Sequence, residues 1–180
     1  MSKSFGRITI FFILVSTLGL GLFLIAAWSV KDAVRPPSLH AENFVAPEVS
    51  AHSFIIFDEA TGVQIGSKEP TVVLPIASLT KLVTATVFYN AVDLNATTSI
   101  TWGDVNTEGD AGKLHPHEVY VHRELLFPLL LESSNDAAAS MLRISPELLL
   151  KMRAFVSNLG LTQTKFEDTS GLSAQNVSSA

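Results

Sequence analysis

The order of hydrophobic and polar positions separates an apolar N-terminal stretch from a longer part with mixed patterns. Residues 8–30 are uncharged and largely apolar, and their 23 positions are enough for a helix that spans a bilayer. Lys3 and Arg7 precede this stretch, which predicts an N-terminus in the cytoplasm. Because Ala26–Ser29 is a poor cleavage site, we expect residues 1–30 to be an uncleaved signal-anchor, with a cleaved signal peptide as the alternative.

The stretch that follows the apolar segment has few large apolar side chains and contains Pro36, Pro37 and Pro47. This composition is typical of a linker, and we assign residues 31–50 to it. Patterns typical of a folded domain begin afterwards, so we place a single domain in residues 51–180.

Two short runs at the start of this domain have the pattern of β-strands. Residues 52–57 and 63–67 form these runs, and the turn-like residues Asp58–Gly62 lie between them. The pattern predicts a β-hairpin. Because a two-stranded hairpin is marginally stable by itself, we expect other strands or a helix to cover it.

Apolar residues recur at helical spacing through much of the remaining sequence. The first helical segment is rich in β-branched residues, so burial must supply its stability. We expect Pro128 to kink the second. Residues 93–120 are polar and turn-rich, and residues 161–180 are expected to be loops with a short strand near Lys165–Phe166. The predicted helices are 78–92, 122–132, 135–143 and 145–159, the last with Ser145 and Pro146 at its start and Gly160 at its end.

The amino-acid composition excludes several kinds of function. The 180 residues include no cysteine, which excludes disulfides, thiolate catalysis and zinc–thiolate sites. The formal net charge is −5, and the sequence has no basic stripe with interleaved aromatic residues. Nucleic acid is therefore not expected as a partner.

The candidate chemistry lies where the first predicted helix begins. Ser78 and Lys81 are three positions apart, so they share one face of a helix and the amine can reach the hydroxyl. A lysine kept neutral by burial can act as the base for a serine nucleophile. Ser133 and Asn135 form a Ser-x-Asn element of the kind that partners Ser-x-x-Lys. Each element alone also fits a cap or a turn, but the two in this order favour an enzyme.

A second candidate site is the segment His115–Glu118, with His122 close by. Its histidines lack the i, i+4 helical spacing of a zinc-protease motif. We therefore interpret this segment as a solvated loop and expect no metal site.

Four blocks of the sequence resemble the bacterial D-alanyl-D-alanine carboxypeptidase family, the low-molecular-mass penicillin-binding proteins that also include D-alanyl-D-alanine endopeptidases. The blocks are Asp58–Gly62, Pro75–Lys81, Leu130–Ala138 and the tail from Leu159 to Ala180. The resemblance implies an α/β fold of the α+β type, shared by penicillin-binding proteins and β-lactamases. In this fold an antiparallel sheet packs against the helix cluster that carries the serine.

The resemblance also implies a role for each candidate residue. Ser78 would be the nucleophile that attacks the terminal D-Ala-D-Ala bond of peptidoglycan stem peptides, and Lys81 would be its general base. Ser133 would relay protons towards the leaving amine, and Asn135 would bind the substrate backbone or orient Lys81. No metal or organic cofactor would be needed, and β-lactams would be covalent inhibitors. The enzyme would be held in the bacterial cytoplasmic membrane by its N-terminal helix, with the catalytic domain on the outer side.

The sequence departs from the family at Pro128, in its N-terminal anchor and, most importantly, in one sequence element. It contains no Lys-Thr-Gly, and it ends at Ala180, before the family reaches the strand that carries this element. We therefore expect a truncated chain, with a hairpin and a helical cluster but without the later sheet strands, and with its central helix uncovered. A β-lactamase-type hydrolase and a catalytically inactive membrane-anchored fragment are the alternatives. The residues do not separate carboxypeptidase from endopeptidase activity.

Overall fold

The computed structural model describes residues 48–109 and 112–180. The predicted signal-anchor, residues 1–30, and residues 31–47 of the predicted linker lie outside the described residues. Within the described ranges, no helix has both the length and the apolar character needed to cross a bilayer. By their contacts, residues 56–66 fall in one compact unit, and the rest of the described chain falls in another.

The hairpin predicted near the start of the domain is confirmed. Strand β1, Phe54–Phe57, pairs with strand β2, Gln64–Lys68, in a two-stranded sheet. In the turn between them, the Asp58 carboxylate accepts hydrogen bonds from the N–H of Ala60 and the hydroxyl of Thr61. Such bonds from a short acidic side chain to nearby groups stabilise a turn, which explains the choice of aspartate at this position.

The larger unit is mainly helical in the part of the chain that the structure describes. Two 3-10 turns, Ala77–Leu79 and His122–Leu125, lead directly into α-helices. The second turn and the helix after it replace the single kinked helix predicted for residues 122–132. Pro128 lies in the first turn of that helix, where its missing N–H removes no interior hydrogen bond. The helices are α1 (Thr80–Ala91), α2 (Trp102–Val105), α3 (Leu126–Leu131), α4 (Asn135–Ile144) and α5 (Leu148–Asn158).

Helix α1 forms the centre of this unit. Its β-branched residues disfavour an isolated helix, but Thr84, Val87 and Phe88 are buried, and α1 packs against α3, α4 and α5. Burial therefore supplies the stability that helix propensity lacks. The expectation that this helix is uncovered is wrong for the packed face. On the other face, Leu82 and Tyr89 are each 57% exposed.

Four short strands complete the larger unit. Strand β3, Leu74–Pro75, pairs antiparallel with β6, Val177–Ser178, and strand β4, Thr97–Ser99, pairs antiparallel with β5, Val119–Val121. The β4–β5 pair was not expected, because strands of three residues are too short to show a period of two. The strand expected near Lys165–Phe166 is a single bridge between Lys165 and Val177.

One ion pair connects α4 to the β4 strand and the α2 helix. Arg143 donates to the Asp104 carboxylate at 2.9 Å and to the Ser99 carbonyl at 3.0 Å. Burial alone would raise the pKa of Asp104, but the hydrogen bonds from Arg143 and Thr101 hold it below its ordinary value. The contacts of Arg143 therefore join α4, α2 and β4.

Candidate active site

The Ser78 hydroxyl is presented by the 3-10 turn between β3 and α1. The Ile76 N–H donates to the Asn176 carbonyl at 2.9 Å, which continues the β3–β6 pairing up to this turn. Ala77 then adopts a left-handed φ of 45°, a conformation that costs a non-glycine residue free energy. The backbone thus turns sharply just before Ser78, whose side chain remains accessible to solvent.

Lys81 lies behind Ser78 with 2% of its surface exposed. Its amine is 3.3 Å from the Ser78 hydroxyl, 2.9 Å from the Asn135 side-chain oxygen and 2.7 Å from the Ser170 carbonyl. Burial lowers the pKa of this amine, and the charge of Asp168 raises it in opposition, with burial the larger effect.

The three oxygens around the Lys81 amine can accept from all three donors of the charged ammonium, and they also accommodate the neutral amine that a general base requires. A neutral amine has two N–H donors and one lone pair, whereas a charged ammonium has three donors and no acceptor. Asn135 and Ser170 offer only acceptor oxygens to Lys81, so they take both donors of a neutral amine. The lone pair then faces the Ser78 hydroxyl. This arrangement can remove the Ser78 proton.

The Ser-x-Asn element lies in the connection from α3 to α4. The Pro128 carbonyl accepts from the N–H groups of Glu132 and Ser134, which closes the end of α3. Ser133 adopts a left-handed φ of 57°, and Ser134 caps α4 by accepting from the Ala137 N–H. Asn135, the first residue of α4, is thereby directed inwards.

The amide orientation of Asn135 is fixed from both sides. Its nitrogen donates to the Glu108 carbonyl at 3.1 Å, so its oxygen faces Lys81. Ser78, Lys81 and Asn135 thus form one hydrogen-bonded chain. Ser133 lines the same cavity of about 420 Å³ that Ser78 and Lys81 line.

Sequence reasoning did not identify the Ser170 carbonyl as part of this site. The loop that carries it is tied by the Asp168 carboxylate, which accepts from the N–H groups of Ser170, Gly171 and Ser173 at 2.6–2.8 Å. Burial would raise the pKa of Asp168, but these hydrogen bonds hold it below its ordinary value. The Asp-x-Ser-Gly turn signal was visible in the sequence, but a backbone carbonyl has no sequence signature.

Gly171 allows this loop to approach the nucleophile. Its φ of 89° is left-handed, and an added Cβ would overlap with the Ala77 carbonyl group and lie 3.0 Å from the Ser78 nitrogen. Only glycine satisfies both the backbone angle and the close approach. The loop 168–176 is therefore a supporting wall of the site.

The histidine-rich segment has local structural contacts. The Glu118 carboxylate accepts from the His115 N–H and the Tyr120 hydroxyl, each at 3.1 Å. The His122 ring lies 2.8 Å from the Asp93 carbonyl and edge-on to Phe88. Among the described residues, no group of three or more His, Asp or Glu side chains is arranged to hold a metal ion.

Comparison with known proteins places this geometry in a family. The family model described as D-alanyl-D-alanine carboxypeptidase matches residues 40–180. The chain is 34% identical over 156 residues to D-alanyl-D-alanine carboxypeptidase DacB2 of Mycobacterium tuberculosis, a match that covers 85% of this chain and 52% of that protein. It is 29% identical over 179 residues to a D-alanyl-D-alanine endopeptidase of Escherichia coli, covering 92% of this chain and 55% of the relative.

Solved structures share the fold. A crystal structure of D-alanyl-D-alanine carboxypeptidase from M. tuberculosis superposes with a TM-score of 0.71 at 29% identity, over 82% of this chain and 56% of that one. The Streptomyces K15 DD-transpeptidase has a TM-score of 0.70 at 24% identity, over 76% and 58% of the two chains, and shows the fold alone.

The fold is therefore that of the penicillin-binding DD-peptidases, in partial coverage. The chain belongs to the D-alanyl-D-alanine carboxypeptidase family, whose named relatives are carboxypeptidases and endopeptidases. It spans about half the length of the curated relatives it matches.

Proposed function

We propose that Ser78 is the acyl-accepting nucleophile of a serine D-Ala-D-Ala peptidase that acts on peptidoglycan stem peptides. The observation that carries this proposal is the Lys81 amine, which is buried and held between the Ser78 hydroxyl and two acceptor oxygens. A buried amine with a lowered pKa is suited to act as a general base near neutral pH.

In the proposed reaction, the Ser78 oxygen attacks the carbonyl carbon of the penultimate D-Ala while its proton passes to the Lys81 amine. The C–N bond then breaks, and the leaving amine takes a proton from Lys81 through the Ser133 hydroxyl. Water afterwards attacks the ester carbonyl carbon and gives a proton to Lys81, and Lys81 passes that proton to the Ser78 oxygen as the ester C–O bond breaks. Asn135 keeps the Lys81 amine directed at Ser78 throughout.

The proposed substrate class follows from the relatives, which include both carboxypeptidases and endopeptidases. β-Lactams would act as covalent inhibitors, because the attacked amide carbon is held in a ring and the leaving group stays attached. The proposed setting is the outer face of the bacterial cytoplasmic membrane, with residues 1–30 as the anchor and residues 31–50 as the linker. The apolar character of residues 8–30 supports this proposal.

Covalent labelling with a fluorescent penicillin tests the proposed nucleophile. We expect the 180-residue chain to label, Ser78→Ala to lose the label, and Ser157→Ala, an exposed serine on α5, to label as the wild type does. Lys81→Met should reduce the acylation rate by about 10²–10⁴-fold, the usual contribution of a general base. Labelling that persists in Ser78→Ala, or a folded wild type that does not label, would contradict the proposal.

The lifetime of the label separates the peptidase from a β-lactamase-type hydrolase. A peptidase of this kind should hold the penicilloyl group through many wash steps. Rapid loss of the label with steady hydrolysis of penicillin would favour the β-lactamase instead.

A further inference from the structure

We propose that Asp168 is a positioning residue of the active site, which holds the Ser170 carbonyl against the Lys81 amine and balances the charge of that amine when it is protonated. The inference deepens the proposed function and rests on it for the catalytic consequence. The placement of the Ser170 carbonyl stands on the hydrogen-bond geometry, and the ionisation of Lys81 can be measured separately from activity.

The geometry begins with the way in which Asp168 ties its loop. One carboxylate oxygen accepts from the N–H groups of Ser170 and Gly171 at 2.8 and 2.6 Å and from the Ser170 hydroxyl at 3.0 Å. The other oxygen accepts from the Ser173 N–H at 2.7 Å. Hydrogen bonds to a charged acceptor are about twice as strong as hydrogen bonds between neutral groups. The carboxylate therefore holds the turn that follows it in one conformation.

A second side chain locks Asp168 itself. Asn176 is fully buried, and its side-chain oxygen accepts from the N–H groups of Glu167 and Asp168 at 2.6 and 3.1 Å. Its nitrogen donates to the Asp168 carboxylate at 3.0 Å. The backbone carbonyl of Asn176 accepts from Ile76, two residues before Ser78. One buried network thus connects the Asp168 carboxylate to the turn that carries the nucleophile.

The consequence for Lys81 is a fixed acceptor. The Ser170 carbonyl lies 2.7 Å from the Lys81 amine, closer than the Asn135 oxygen and the Ser78 hydroxyl. Ser170 is itself 8% exposed. If the turn moved, the buried amine would lose this acceptor, and an unpaired buried donor is costly. Asp168 therefore acts on Lys81 through the carbonyl that it holds in place.

Charge is the second way in which Asp168 acts on Lys81. The other charged side chains on the elements around α1 are engaged elsewhere or lie on exposed surface. They are Glu132, Asp136, Arg143, Lys151, Arg153 and Glu167. Among the described residues, Asp168 is the charged group whose field raises the pKa of Lys81 against the larger effect of burial.

Glu167, the residue just before the loop 168–176, offers a matched control. Its carboxylate is 58% exposed and pairs with Arg153 at 3.4 Å, on the side of α5. Glu167→Gln removes the same charge one residue away from Asp168. An exposed charge is screened by solvent and salt, so this change should move the Lys81 pKa by less than about 0.2 units.

The experiment follows the ionisation of Lys81 by NMR, with ¹³C-labelled lysine in the full chain and with the Lys81 signal assigned from Lys81→Met. We expect Asp168→Asn to lower the pKa of Lys81 by at least about 0.5 units, less than the 1–3 units of a direct ion pair. Asp168→Glu, which restores the charge, should return the pKa to within about 0.3 units of wild type.

The direction of the shift separates this role from a merely structural one. If Asp168 only maintained the fold, its loss would loosen the loop and admit water, and the pKa of Lys81 would rise towards that of an exposed lysine. A rise, no change, or an equal fall in Glu167→Gln would each overturn the proposal.

If Asp168→Asn does not fold, the reciprocal measurement on Asp168 tests the same coupling. Thermodynamic coupling acts equally in both directions. The pKa of Asp168, followed by carboxyl ¹³C signals, should therefore rise in Lys81→Met relative to wild type. An unchanged Asp168 pKa in that variant would overturn the proposed coupling.

The catalytic consequence has its own readout. The rate of acylation by penicillin is measured against pH, and its acidic limb is the range in which the rate rises as Lys81 loses its proton. For Asp168→Asn this limb should move to lower pH by the same amount as the Lys81 pKa. The plateau rate should fall because the Ser170 carbonyl is less firmly held. If no variant labels but the NMR shifts appear, the coupling stands and the proposed nucleophile is what fails. If the Lys81 pKa shifts but the acidic limb of the acylation rate stays at the same pH, then Lys81 is not the base.

Discussion

Gly171 provides the sharpest test of how the loop 168–176 supports the nucleophile. Gly171→Ala adds one methyl group at a position with a left-handed φ of 89°. The new Cβ would overlap with the Ala77 carbonyl group and lie 3.0 Å from the Ser78 nitrogen. Because the obstructing atoms are backbone atoms of the turn before α1, they cannot rotate away as a flexible side chain could.

The expected loss of stability has two parts. A left-handed alanine costs about 1–2 kcal/mol relative to glycine, and forcing an extra carbon into a packed region costs about 1–3 kcal/mol. Gly160→Ala provides the matched control, because Gly160 has a φ of 73° in the same unit but no atom within 4 Å of its added Cβ. The backbone cost largely cancels between the two variants, and the overlap leaves Gly171→Ala less stable by about 1–3 kcal/mol.

Urea denaturation of the wild type and both variants measures these differences, and penicillin acylation measures the effect on Ser78. We expect Gly171→Ala to lose both stability and acylation rate, and Gly160→Ala to lose only the backbone cost of about 1–2 kcal/mol while acylating normally. Equal free energies of unfolding for the two variants, or a normal acylation rate in Gly171→Ala, would refute the close approach described here.

Two further predictions concern charged groups. Asn135→Asp places a carboxylate oxygen where the amide oxygen now lies, 2.9 Å from the Lys81 amine, so the pKa of Lys81 should rise. The acidic limb of the plot of acylation rate against pH should then move to higher pH by about 1–3 units. An acidic limb at the wild-type pH would contradict this prediction. Arg143→Met leaves Asp104, with 3% of its side chain exposed, without its cation. Because Arg143 is itself partly exposed, we expect a loss of about 1–3 kcal/mol at pH 7. The paired Asp104 has a lowered pKa, so its stabilisation is present above about pH 4 and disappears as the pH falls further. Denaturation curves at pH 7 and pH 3 check this, and an equal loss at both would be inconsistent with it.

The local parts of the site could be predicted from the sequence. Ser78 and Lys81 are three residues apart at the start of a helix, and helix geometry alone brings such residues together. The hairpin also followed from local signals, because its turn is stabilised by Asp58 and its own neighbours. In both cases the contacts lie within a few residues of one another along the chain.

Other parts depend on long-range contacts that no local pattern records. Asn135 reaches Lys81 across 54 positions and Ser170 across 89. The Ser170 group is a backbone carbonyl, which every residue carries, so its role is visible only in the fold. The β4 and β5 strands are held by pairing with each other and by Arg143, and not by a hydrophobic alternation of their own.

Mass mapping of the acyl adduct tests the central claim most directly. The full chain is treated with penicillin at neutral pH, digested, and its peptides are weighed. We predict that the peptide containing Ser78 gains the mass of one penicillin, that peptides containing Ser133 remain unmodified, and that Lys81→Met shows little adduct in the same time. An adduct on Ser133, or no adduct on a folded chain, would contradict the assignment of Ser78 and Lys81 as nucleophile and base.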